Sequence, residues 1–228
     1  MPEQNLYYQI TSMYDSDTPK ELHSIFNNED IAKMFKVLIE SKDYFKNIYG
    51  KWMKARDITI LAALRYMLLR PKEACCLKFS DFDFRNSRII VRGENNKQGK
   101  SRFVSIPDKF MMAYNYFIKF PHWLWKGSSY LFPSNESEHI SPGQWKRIMR
   151  EKILKPAGLW VKAPTPNRTF TRSYTLRASG ATELLDNGAD VWTVAQTLGH
   201  SDLRTVKNYY FQTEKFRNRQ KGFLNNLG

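Results

Sequence analysis

The stretch "LGHSDLRTVKNYY" (198–210) places a histidine, His200, nine and ten residues ahead of two adjacent tyrosines, Tyr209 and Tyr210. A phenol can act as a nucleophile and an imidazole can carry a proton near neutral pH. Elsewhere the chain offers Arg70 in "LLRPKEACCL", Lys97 in "NNKQGKSRF" and Arg177 in "YTLRASGATELL". Guanidinium groups stay charged and present a planar fork of donors that fits phosphate. Together these residue types suit attack on a phosphodiester without a metal. Cations offset the charge growing on the nonbridging oxygens, a phenol attacks phosphorus, and a lysine protonates the leaving oxygen. Singly, each has a plainer role. Arg70 can cap a helix, Lys97 can be an exposed lysine, and Arg177 can pair with Glu183 or Asp186 on its own helix. His200 can make a structural hydrogen bond, and the tyrosines can pack.

Such a set needs elements to bring it together. Residues 1–22 read as a tail or linker remnant. A helix starts at "NNEDIAKMFKVLIESKDYF", with Asn27 or Asn28 as its cap and Ile31, Met34, Phe35 and Leu38 as its apolar stripe. A second helix, from about Lys54 to Leu69, is apolar on most sides and central. Pro71 suits the first turn of a third, running to about Leu77. The period then changes: "SRIIVRG" and "SRFVSIP" are short β-rich runs joined by "ENNKQGK", a hairpin whose loop holds Lys97. Helical patterns resume at Asp108–Phe120 and Ser141–Lys155, followed by a polar, proline-punctuated loop over 163–173. Beyond it lie helices at about Thr175–Asn187 and Val191–Thr197, a short one ending near Tyr209, and a tail helix from about Thr213. The expected fold is α+β, mainly helical, with one small antiparallel sheet.

The charge points to the partner. Residues 1–50 hold five lysines and eight acidic residues, while the rest holds 31 basic and 14 acidic residues. A body this basic, with arginines interleaved among aromatics, suits a polyanion and above all nucleic acid. Cys75 and Cys76 are neighbours in an apolar pattern. They lack metal-ligand spacing and read as buried thiols of a reducing compartment. The leader lacks the pattern of a signal peptide, and "ITILAAL" (58–64) is too short to cross a bilayer. The expectation is a soluble, cytoplasmic protein with no membrane partner.

Read in chain order, "LLRPKEACCLKFSDFD" (68–83), "NNKQGKSRFVSIP" (95–107) and "YTLRASGATELLDNGADVWTVAQTLGHSDLRTVKNYY" (174–210) resemble the tyrosine recombinase family, the integrases of the lambda and Xer type. That family carries "GLR-x-x-E-x-x-x-L", a hairpin lysine, "H-x-L-R", "L-G-H" and a tyrosine nine residues after the last histidine. The resemblance runs from about residue 23 to 215 and implies the catalytic fold of DNA breaking-rejoining enzymes over 23–228, with 211–228 as a tail that can dock on a neighbouring subunit. It implies Arg70 and Arg177 as phosphate clamps, Glu73 as the buttress of Arg70, and Lys97 as the hairpin lysine with Lys100 as second choice. His200 is the "LGH" histidine, and Tyr209 rather than Tyr210 is the nucleophile. The implied activity is site-specific recombination of double-stranded DNA through a 3′-phosphotyrosyl ester, without metal, nucleotide or other cofactor. Four sites are needed to recombine two duplexes, so a tetramer on DNA is implied, with a monomer when free.

Two departures stand out. Tyr174 occupies the place of the "H-x-L-R" histidine and is a poor base near neutral pH. The proton of Tyr209 then goes to His200, to Tyr174 through water, or to no protein base. "Y-x-x-R" variants resemble integrases of archaeal mobile elements, implying a mobile element or virus of an archaeal or other prokaryotic host. The family's helical core-binding domain, normally ahead of the catalytic one, has no counterpart in this chain. Two other functions fit parts of the pattern: a helix-turn-helix regulator without catalysis, and a type IB topoisomerase with the same chemistry but no site preference.

Overall fold

The computed structural model describes residues 25–96, 98–160 and 172–200, together with residues 203, 206, 209, 213, 218, 221, 222, 224 and 225. Helix α1 (Asn28–Glu40) is closed at its start by a capping box: Asn27 accepts from the Asp30 amide at 2.8 Å, and Asp30 accepts from the Asn27 amide at 3.2 Å. Its stripe buries Ile31, Met34 and Leu38, while Phe35 is half-buried and stacks on Tyr66.

Helix α2 (Ile48–Tyr66) is the centre of the domain and packs on α1 and on three later helices. Ile60, Leu61, Ala62, Ala63 and Leu64 are consecutive and all buried, as befits a helix covered on every side. It begins six residues before the expected Lys54, because Asn47 caps it through the Gly50 amide at 2.9 Å. Gly50 suits this entry for a steric reason: a Cβ there would stand 2.0 Å from the Phe45 carbonyl oxygen. The helix ends before the expected Leu69, because Leu68 turns into the left-handed region at φ +53°. Pro71 then opens the short helix α3 (Pro71–Cys75), whose two cysteines, Cys75 and the following Cys76, are both buried.

The sheet has one strand more than expected. Strand β1 (Phe82–Asp83) pairs with β2 (Arg88–Val91), and β2 pairs with β3 (Arg102–Ser105), all antiparallel. Ile89 faces Val104 in the register, and both are buried with Val91 on the core side. Helix α4 (Asp108–Ile118) covers α2, and Phe110 and Phe117 fill the space between. Helix α5 (Pro142–Ile148) starts on a Ser141–Gln144 capping box and continues as a π-helical segment, Met149–Leu154, instead of one regular helix.

Helices α6 (Arg172–Asp186) and α7 (Val191–Leu198) enclose a second, smaller apolar cluster. It holds Leu68, Ala181, Leu185, Val194, Ala195, Leu198 and Val206, with Tyr209 packed against it. Leu68 thus ties the end of α2 to this second cluster. No helix among the described residues is long and apolar enough to cross a membrane. The expected loop over 163–173 and the tail helix lie largely outside the described residues.

Candidate active site

The site is organised by one carboxylate. Glu73 is the third residue of α3, so its side chain reaches back to the helix start and accepts the Arg70 amide at 2.7 Å. Its Oε1 also accepts from Arg70 Nη1 at 2.8 Å and from Arg102 Nη1 at 2.8 Å. Its Oε2 accepts from Arg102 Nη2 at 2.9 Å, completing a two-pronged pair. A carboxylate has about four acceptor positions, and here all are used. Burial alone would push the Glu73 carboxyl upward. The Arg102 hydrogen bonds and charge, the Arg70 amide and the Arg177 charge outweigh it and hold the group below the usual carboxylate range.

Arg177 is the third guanidinium at this point, with Nη1 3.6 Å from Glu73 Oε2. Its donors go to backbone instead: Nη1 to the Leu68 carbonyl and Nη2 to the Leu198 carbonyl. The left-handed turn at Leu68 is what aims the first carbonyl there, and the second belongs to the end of α7, where carbonyls lack helical partners. The plainer pairing of Arg177 with Glu183 does not form, since Glu183 pairs with Arg65. Burial and the neighbouring Arg70 push Arg177 down to about 9, opposed by Glu73, so it is still charged at neutral pH. Three arginines around one carboxylate leave the centre strongly positive.

The segment "LGH" closes α7 as a Schellman turn. The Gly199 amide donates to the Gln196 carbonyl at 3.0 Å, and the His200 amide to the Ala195 carbonyl at 2.9 Å, with Gly199 at φ +60°. This fixes His200 beside the arginines. Burial, then the charges of Arg177, Arg70 and Arg102, lower its ring to about 4, so the imidazole is neutral at pH 7. Its Nδ1 is buried with no hydrogen-bond partner among the described residues. The Tyr209 ring lies along the His200 ring, centroids 6.4 Å apart and planes 23° apart. Burial raises the Tyr209 phenol, with Arg177 and Arg70 pulling the other way.

The structure therefore gathers Arg70, Glu73, Arg177, His200 and Tyr209. Tyr174 sits on α6 with 49% of its surface exposed. Lys100 is exposed, while Lys97 and Tyr210 lie outside the described residues. Sequence reasoning missed Arg102, the first residue of β3. Its only signal was a basic residue opening a strand next to the lysine loop.

The sequence matches the profile of the phage integrase family over residues 27–215. It is 31% identical over 200 residues to tyrosine recombinase XerA of Pyrococcus furiosus, covering 86% of this chain and 60% of that protein. It is 34% identical over 170 residues to tyrosine recombinase XerD of Yersinia pestis, covering 72% of this chain and 53% of that protein. The chain thus spans little more than half the length of these curated relatives. The fold is similar to that of the XerH site-specific recombinase bound to a palindromic difH substrate in a post-cleavage complex. There the TM-score is 0.68 at 18% identity, over 92% of this chain and 56% of that one.

Proposed function

The chain belongs to the phage integrase family, and from that membership we propose that residues 23–228 are the catalytic domain of a site-specific DNA recombinase, with residues 1–22 as leader or linker. The observation that carries this reading is the positive arginine centre on Glu73 beside the paired rings of His200 and Tyr209. The proposed substrate is double-stranded DNA, the counterpart of the difH substrate to which XerH is bound. The working assembly is a tetramer on DNA formed from monomers.

In this mechanism Arg70 and Arg177 hold the two nonbridging oxygens of one phosphate. The Tyr209 oxygen attacks phosphorus, a new P–O bond forms, and the bond to the 5′ oxygen breaks. Lys97 gives that oxygen its proton, and the phenol proton passes to His200, whose ring is neutral at pH 7. The strand is held as a 3′-phosphotyrosyl ester, so rejoining needs no nucleotide cofactor. Tyr174, exposed on α6, serves as a hydrogen-bond donor to DNA and not as a base.

The test uses a pool of nicked duplexes with a randomised core, incubated without added metal, with covalent protein–DNA adducts trapped and sequenced. Wild type and Tyr210→Phe form adducts enriched in one sequence, and Tyr209→Phe forms none. An adduct from Tyr209→Phe, or none from Tyr210→Phe, refutes the assignment of the nucleophile. Adducts without sequence enrichment point to a topoisomerase, and binding without adducts to a regulator. Arg70→Ala lowers the cleavage rate by about 10²-fold or more while binding changes far less.

A further inference from the structure

Three of the five Arg102 N–H donors are used inside the protein. Both terminal nitrogens bind Glu73, and Nε donates to the Thr197 carbonyl at 3.1 Å. The side chain is only 12% exposed. On one side it is the first residue of β3, paired with Val91 in the hairpin whose loop carries Lys97. On the other it lies against the Schellman turn: a Cβ on Gly199 would stand 2.8 Å from Arg102 Cδ and 3.0 Å from its Nε. One guanidinium thus joins three segments that are far apart in the chain.

We propose that Arg102 is a positioning residue of the centre, fixing the lysine hairpin, the Glu73 carboxylate and the Thr197–His200 turn in one register. The inference rests on the recombinase reading for what that register serves. Only arginine can make this joint. A lysine supplies the charge but neither the two-pronged pair nor the simultaneous bond to Thr197.

Two readouts test it. In single-turnover cleavage of the nicked-duplex pool at saturating protein, Arg102→Met slows the chemical step by about 10²-fold while DNA affinity stays within about threefold, and Arg102→Lys recovers part of the loss. Cleavage by Arg102→Met at the wild-type rate overturns the proposal. A parallel loss of affinity also overturns it, marking Arg102 as a DNA contact. Should Arg102→Met fail to fold, Arg102→Lys and Gly199→Ala carry the test, the latter crowding the guanidinium with Glu73 intact. Wild-type rates in both then overturn the proposal. The second readout needs no DNA: the His200 ring nitrogens, followed by NMR across a pH titration, shift position and midpoint in Arg102→Lys. An unchanged His200 signal overturns the positioning role. If wild type itself forms no adduct, the recombinase reading fails, and this titration decides the structural claim alone.

Discussion

Replacing Glu73 with Gln keeps the side-chain shape, removes the charge and turns one acceptor into a donor. The carboxylate accepts four hydrogen bonds, from Arg70 twice and Arg102 twice, and stands 3.6 Å from Arg177. In Glu73→Gln the new amide N–H group must face guanidinium donors. At an effective dielectric constant of about 20, unit charges about 4 Å apart interact by about 4 kcal/mol. Three such pairs offset the cost of burying Glu73 and the arginines, so the net loss is well below their sum. Breaking a buried pair by removing one partner costs about 3–5 kcal/mol. At about 2–4 °C per kcal/mol for a chain of this size, Tm falls by about 10 °C. The assay is equilibrium urea denaturation of both proteins across pH. The folded Glu73 carboxyl is held below its ordinary range. Its contribution is therefore complete above that range and is lost as pH falls through the folded value. The two stability curves separate near neutrality and converge in acid. Arg102→Met costs less in the Glu73→Gln background than alone, because its partner is already gone. A loss below about 1 kcal/mol, or a gap unchanged in acid, refutes the view that this carboxylate holds the arginines together.

Two further outcomes follow from the same geometry. The His200 ring titrates near 4 in the folded chain, below its ordinary value, so its contribution is present above the unfolded value of about 6.5 and lost as pH falls toward 4. Linkage bounds this at about 2 kcal/mol by pH 5, and at about half that once partial solvent contact is allowed for. His200→Gln removes this increment, as urea denaturation at pH 7 and pH 5 will show. A Cβ on Gly180 would lie 2.2 Å from Leu68 Cδ2 and 3.1 Å from the Arg65 carbonyl oxygen. Gly180→Ala therefore destabilises the domain by about 1–3 kcal/mol despite alanine's better helix propensity, and a thermal melt at or above wild type would contradict this packing.

Much of this was legible in the order of residues. Asn27 or Asn28, with Glu29 and Asp30 behind, announces the first helix, and the β-rich run "SRIIVRG" announces the strand. The helix before "LGH" was legible to within a residue, but its Schellman ending was not drawn from the sequence, where "LGH" stood only as a family motif. Arg102 was not legible, since nothing local tells a strand-opening arginine that its carboxylate lies 29 residues earlier. The plainer pairing open to Arg177 does not form, for a related reason. Glu183 is near it in sequence, but burial lets Arg65 claim Glu183 while Leu68 and Leu198 present carbonyls from other elements. Strand β1, only two residues long, falls below any period that a pattern can show.

The Leu68 turn has a consequence for how the chain comes to its final state. The carbonyl it offers is taken by Arg177, 109 residues later, and the Glu73–Arg102 pair closes only a 29-residue loop. Closing the longer loop is the costlier step in chain entropy, and contacts of such separation form late. As the chain emerges from the ribosome, Glu73 can meet Arg70 and Arg102 before α6 and α7 exist. Until those helices dock, the half-built centre lacks both Arg177 and His200. Nascent or truncated chains ending before α6 can therefore form the Glu73–Arg102 pair while the third arginine and the histidine of the centre are still missing.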